Sequence, residues 1–161
     1  MNEPNKLKSD NLDMDSIDRK ILNLIQSDFP ITSKPYLAIA NKLNLSESEI
    51  ISRLSYLKKC GIIRRIGGNF VPHKLGFVST LCAAQVPEEK IDMFAQTVNQ
   101  YPGVTHNYTR DNRFNVWFTF IAQSMEEIEL NLDAIAEKTG VKNIINLPST
   151  RVFKVKAHFN L

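Results

Sequence analysis

Residues 102–120 read PGVTHNYTRDNRFNVWFTF. Two alternating runs, 104–110 and 113–120, stand on either side of Asp111-Asn112. An Asp/Asn pair between alternating runs is a two-residue hairpin signal. A loop of that length sets Arg110 opposite Arg113, Tyr108 opposite Asn115 and His106 opposite Trp117. Successive strand side chains point to opposite faces, so these six share one face. The other face carries Phe114, Val116, Phe118 and Phe120, with Thr105, Asn107 and Thr109 across from them. One side is apolar enough to cover a core. The other holds an imidazole, a phenol, an indole, an amide and two guanidinium groups. A solvated face more usually carries Lys, Glu, Ser and Thr; this set fits a large, flat, anionic ligand.

Around the hairpin the pattern alternates between strand and helix. Residues 77–86 read as a strand, and 87–101 as a helix with Ile91, Phe94, Ala95 and Val98 inward. After the hairpin, residues 124–139 place Met125, Ile128, Leu132, Ile135 and Ala136 on one helical stripe. A strand-like run follows over 144–159, interrupted by Pro148. The order β-α-β-β-α-β is that of a ferredoxin-like split βαβ. Both helices would cover one sheet face and leave the His106 face open. An open face of this sort usually meets a second copy or a related chain.

Upstream, the spacing predicts three helices. The first starts near Asp15 with Ile17, Ile21, Leu24 and Ile25 on one stripe, and the second covers 34–43. The third starts at Ser46, whose S-x-x-E pattern with Glu49 is a capping box. It buries Ile50, Leu54 and Leu57 and stops at Gly61. Residues 62–66 are β-branched, and Gly67-Gly68-Asn69 would turn them back through Phe70-Val71 as a wing. The fold expected is α+β: a disordered tail over 1–12, a winged helix-turn-helix over 13–72 and a ferredoxin-like βαββαβ domain over 73–161.

The composition excludes several classes. With 161 residues, 43% hydrophobic and 23% charged, the chain is an ordinary globular protein. Its net charge is +3. Residues 13–66 hold nine basic and six acidic side chains, whereas 67–161 hold nine of each. That excess permits a weak nucleic-acid footprint and does not demand one. No apolar run approaches the roughly 20 residues of a membrane span. The N-terminus lacks a signal-peptide segment, and Cys60 and Cys82 form no C-x-x-C, so a reduced cytoplasmic protein is expected.

A winged helix before a small ferredoxin-like domain resembles the Lrp/AsnC regulators, as does the segment LNLSESEIISRLSYLKKCGIIRRIG. The segments GIIRRIGGNF, HKLGFVSTLCAA, PGVTHNYTRDNRFNVWFTF and NLPSTRVFKVK together resemble the sirohaem decarboxylases, Lrp-like enzymes of haem and haem d1 biosynthesis. That likeness covers nearly all of residues 13–160. Phe114 stands where the family pattern commonly has Tyr, so no hydroxyl is available there. The resemblance implies a carboxy-lyase subunit. It would convert sirohaem to 12,18-didecarboxysirohaem by loss of two CO2, with no cofactor beyond the iron tetrapyrrole itself. The partner it implies is a paralogous chain or a second copy.

Such a substrate is flat and rich in carboxylates, and the hairpin residues suit it. Arg110 and Arg113 offer bidentate guanidinium forks, with Arg64, Arg65 and Arg151 as further candidates. Tyr108 and Trp117 offer aromatic faces, and Asn115 lines the same surface. His106, or Tyr108, is a candidate proton donor; His106 could instead be an axial ligand of the substrate iron.

Plainer readings exist for each. Arginine beside a hairpin turn is commonly solvated, a strand histidine is often structural, and Trp117 suits a dimer interface. Arg64-Arg65 in a wing would touch DNA phosphates. His73 and Lys74 fall in a linker, and His158 reads as structural. The rival class is a DNA-binding regulator with an amino-acid effector. Its third helix would expose Glu47, Ser48, Ser52, Arg53, Ser55, Tyr56 and Lys59, and two acids in the first turn approach phosphates badly. A non-catalytic partner subunit is the third reading.

Overall fold

A computed structural model describes residues 14–68, 70–154 and 158–161. The expected disordered tail over 1–12 lies outside the described residues. The described residues form two compact units, one of residues 14–68 and 158–161, the other of residues 70–154.

The first unit holds three helices. Helix α1 (Ser16–Ser27) begins at Asp15, whose carboxylate accepts from the main-chain N–H groups of Ile17 and Asp18. Asp18 returns the bond to the N–H of Asp15, closing a capping box. Helix α2 (Pro35–Leu43) has Pro35 in its first turn, where a missing N–H costs nothing, and stops at Asn44 in the left-handed region. Helix α3 (Glu47–Lys59) is capped by Ser46 as expected, but Glu49 does not complete the box. Its carboxylate accepts instead from Arg53 Nε at 3.1 Å.

Arg53 also donates to Asp15 at 2.8 Å and Asp18 at 2.9 Å, so one guanidinium ties α3 to the start of α1. Gly61, at φ +77°, lets the N–H groups of Gly61 and Ile62 reach back to the carbonyls of Lys58 and Leu57. Ile21, Ile39, Ile50 and Leu57 fill the core between the helices.

The expected wing is not a paired hairpin among the described residues. Residues 62–66 carry no strand ladder; Ile63 enters the core, while Arg64, Arg65 and Ile66 stay exposed. With a single buried anchor, the segment gains little from closing a ladder, and the Asn69 position of the turn lies outside the described residues.

In the second unit, strands β1 (Val78–Ala84), β2 (Val104–Thr109), β3 (Val116–Ala122) and β4 (Ile144–Pro148) form an antiparallel sheet of order β2-β3-β1-β4. Helices α4 (Ile91–Asn99) and α5 (Met125–Thr139) pack on one face. Cys82, Ala84, Val116, Phe118 and Phe120 meet Phe94, Val98, Ile128, Leu132 and Ile135 there. Each fully buried large side chain contributes about 1.5–3 kcal/mol. Burial pushes the Cys82 thiol up to about 12, so it stays protonated and inert.

The run expected as one strand over 144–159 stops at Pro148, which ends the β1 pairing opposite Thr80. Residues 149–154 are exposed and unpaired, and 155–157 lie outside the described residues. The last residues join the first unit. Asn23 and Gln26 on α1 each clasp an extended main chain, donating to the carbonyls of Leu161 and Phe159 and accepting from the N–H groups of the same two residues. His158 Nδ1 sits 3.2 Å from Ser27 Oγ.

The N–H of Asp18, followed by the Arg53 guanidinium, holds the Asp15 carboxyl below its ordinary range. A carboxyl lowered on folding stabilises the folded state above its unfolded value, about 3.9, and that contribution is lost as pH falls through the lower folded value. Denaturation of Asp15→Asn across pH should therefore show a deficit against the native chain at neutral pH that shrinks below about pH 4.

Candidate functional site

The site is built where β2 leaves the α4 turn. A side chain on Gly103 would run into the Ile121 carbonyl oxygen and the Phe120 ring, and the Ile121 N–H donates to the Gly103 carbonyl at 2.9 Å. Only glycine permits this approach. Val104 then pairs with Phe120 on the core side, whereas His106 pairs with Thr119. Two steps on β2 against one on β3 is a β-bulge, with Thr105 as the extra residue. Thr105 and His106 are both exposed, and Thr105 Oγ1 lies 3.1 Å from His106 Nδ1. Thr105 therefore does not share the α4 side with Asn107, which donates to the Ala95 carbonyl and Asn99 there.

The hairpin register differs from the one expected. Tyr108 pairs with Trp117 and Thr109 with Val116, and the Arg110 N–H donates to the Asn115 carbonyl at 2.8 Å. The loop is four residues, 111–114, in place of two. A slip of two residues keeps every side chain on its face, so His106, Tyr108, Arg110 and Trp117 do share the open face. Arg113 and Phe114, however, move into the loop, and Asn115 changes role.

Asn115 is a structural clasp. Its side-chain amide accepts from the Val86 N–H at 2.9 Å and donates to the Val86 carbonyl at 2.8 Å. Both of its polar ends are spent on main chain, immediately before β3 begins at Val116.

Arg110 and its neighbours form the compact part of the site. Its guanidinium carbon stands 5.1 Å from the Tyr108 ring centre and 5.3 Å from that of Trp117, and Nη2 is 3.4 Å from the Tyr108 hydroxyl. Cation–π contacts of this kind are worth about 0.5–1 kcal/mol when exposed. Among the described residues no carboxylate pairs with Arg110, so its fork is free for an anion. The Trp117 indole N–H donates to the Phe114 carbonyl at 2.6 Å, which fixes the ring plane. Arg113 donates to Gln85 at 3.3 Å and lies over the Phe114 ring.

Two rows of side chains run across the open face. One is Tyr108, Trp117, Ala83 and Ile145; the other is His106, Thr119, Leu81 and Leu147. The polar and aromatic groups gather at the β2 edge, and the remainder toward β4 is apolar. Arg151 lies beyond β4 with its guanidinium 4.9 Å from the Phe153 ring. Arg64 and Arg65 belong to the first unit. There they line a groove of about 720 Å³ with apolar walls that include Leu22, Ile25, Phe29 and Phe159. Among the described residues no three His, Cys, Asp or Glu side chains converge on a metal position. Nor is any helix long and apolar enough to cross a membrane.

Residues 18–64 match a family model described as "Siroheme decarboxylase NirDL-like HTH domain", and residues 74–154 match an "AsnC-like ligand binding domain". A siroheme decarboxylase alpha subunit from Desulfovibrio desulfuricans is 50% identical over 149 residues, covering 92% of this chain and 86% of that protein. The chain belongs to the sirohaem decarboxylase family.

A crystal structure of the siroheme decarboxylase NirDL in complex with an iron-uroporphyrin III analogue superposes with a TM-score of 0.63 at 30% identity, over 90% of this chain and 48% of that one. The Bacillus subtilis LrpC structure superposes at 0.70 with 21% identity, over 89% of this chain and 99% of that one. At that identity it speaks for the fold alone.

In this family member, Thr105 and Gln85 contact the candidate residues His106 and Arg113, and sequence reasoning missed both. The sequence carried no signal for Thr105, because its place follows from the bulge between Val104 and His106. Replacing Asn115 with Ala should lower stability by about 1–3 kcal/mol through the unpaired Val86 groups, read as a drop in the urea midpoint.

Proposed function

We propose that the chain works in the cytoplasm as a catalytic subunit of a sirohaem decarboxylase, converting sirohaem to 12,18-didecarboxysirohaem. The observation that carries this reading is the Arg110 guanidinium, within 5.1 Å of the Tyr108 ring centre and 5.3 Å of that of Trp117 and lacking an acidic partner among the described residues, on an open sheet face. Arg110 holds a substrate carboxylate in bidentate fashion, and Arg113, steadied by Gln85, takes a second. Trp117 and Tyr108 lie against the macrocycle. Arg151, beyond β4, serves a further carboxylate.

Each reacting acetate loses its C–C bond. The electron pair stays on the methylene carbon, delocalised into the macrocycle, CO2 departs, and one proton is added to give a methyl group. His106, or Tyr108, delivers that proton; alternatively His106 ligates the substrate iron. No oxidant enters the balance, and no cofactor is needed beyond the iron tetrapyrrole. The apolar half of the face, from Leu81 and Ala83 to Ile145 and Leu147, receives a paralogous subunit.

The DNA-reading alternative loses its best residue on α3, because Arg53 is committed to three carboxylates.

The test is anaerobic incubation of sirohaem with the chain alone and co-expressed with its paralogue. The expected product has lost two CO2 by mass. His106→Ala should slow turnover about 100-fold or more, and Arg110→Ala should weaken substrate binding, seen as a raised KM. A complex active with sirohaem in which both variants match the native rate would show the chemistry to reside in the other subunit.

A further inference from the structure

The bulge at the start of β2 has a chemical consequence beyond packing. In a regular strand, residues 105 and 106 point to opposite faces. Here both are on the open side, with Thr105 Oγ1 3.1 Å from His106 Nδ1. Among the described residues, neither the hydroxyl nor the ring has another side-chain partner. This contact therefore orients the imidazole.

We propose that Thr105 is a positioning residue whose hydroxyl oxygen accepts from the Nδ1–H of His106, holding the ring with Nε2 turned outward. The inference rests on the reading of His106 given above. It holds for either role of that residue. A ring poised to donate a proton carries hydrogen on both nitrogens, so its Nδ1 can only donate to Thr105. A neutral ring ligating iron through Nε2 keeps its hydrogen on Nδ1, and again donates to Thr105. After proton delivery from Nε2, the ring is left as the Nδ1–H tautomer, which the same bond favours. Only the Nε2–H neutral tautomer would need Thr105 to donate, and that form presents no lone pair at Nε2 and is a poor acid. A threonine oxygen beside Nδ1 thus does for this histidine what carboxylate and carbonyl partners do for metal-bound histidines.

The test reads the tautomer directly. Nitrogen-15 NMR of the chain labelled at its three histidines, with His106→Ala to assign the signals, reports the protonation of each ring nitrogen. The native protein and Thr105→Ser are expected to show hydrogen on His106 Nδ1. Thr105→Val is expected to shift toward the Nε2–H form. In the complex with the paralogous chain, Thr105→Val should lower kcat about 10–100-fold with KM little changed, and Thr105→Ser should restore most of it. A native ring found as Nε2–H, or a valine variant with unchanged tautomer or unchanged kcat, overturns the proposal while leaving the decarboxylase reading intact. Full turnover by His106→Ala would instead overturn the assignment of His106, and the role of Thr105 with it.

Discussion

The close approach of Gly103 to Ile121 governs how β2 enters the sheet. A backbone contact of that kind admits no Cβ, and it pins the first residue of the strand while leaving the next two to adjust. Val104 takes the inward position against Phe120 because apolar burial outweighs regular alternation. Thr105 is then one residue too many, and the chain absorbs it as a bulge. From that point outward the register is fixed: His106 opposite Thr119, Tyr108 opposite Trp117, Arg110 closing the loop with Asn115. The far end is held as firmly, since both polar ends of the Asn115 amide are bonded to Val86 on the chain leaving β1.

What lies between these anchors is an unusual surface for a sheet. Its helix-covered face is a conventional core. Its other face grades from cationic and aromatic at the β2 edge to apolar at the β4 edge. The indole bond to Phe114 and the placement of Arg110 against two rings reduce the freedom that a ligand would otherwise have to remove. Pre-organised guanidinium suits a carboxylate better than a flexible lysine would, because less ordering remains to be done on binding. The same gradient divides one surface into a cationic, aromatic edge and an apolar middle.

The first unit keeps the three helices of a helix-turn-helix but uses its polar residues inwardly. Arg53, which would have to face a groove to read bases, bridges Asp15, Asp18 and Glu49. Asn23 and Gln26 hold the chain's own C-terminal residues through main-chain bonds. These contacts commit Arg53, Asn23 and Gln26 to partners within the unit itself.

Periodicity alone fixed a good deal. The stripes of α1, α3, α4 and α5, the caps at Ser46 and Gly61, and the βαββαβ order follow from residue spacing, because helix and strand periods are local properties. The face shared by His106, Tyr108, Arg110 and Trp117 was legible for the same reason, and it survived a wrong loop length because a two-residue slip preserves parity. Pairing partners, the bulge, the new place of Thr105 and the conversion of Asn115 from lining residue to clasp were not legible. Each depends on which distant segment lies alongside: Ile121 against Gly103, Val86 against Asn115, Pro148 at the end of the β1 ladder. A sequence states which side chains can share a face; only the folded sheet decides which of them are left free to bind.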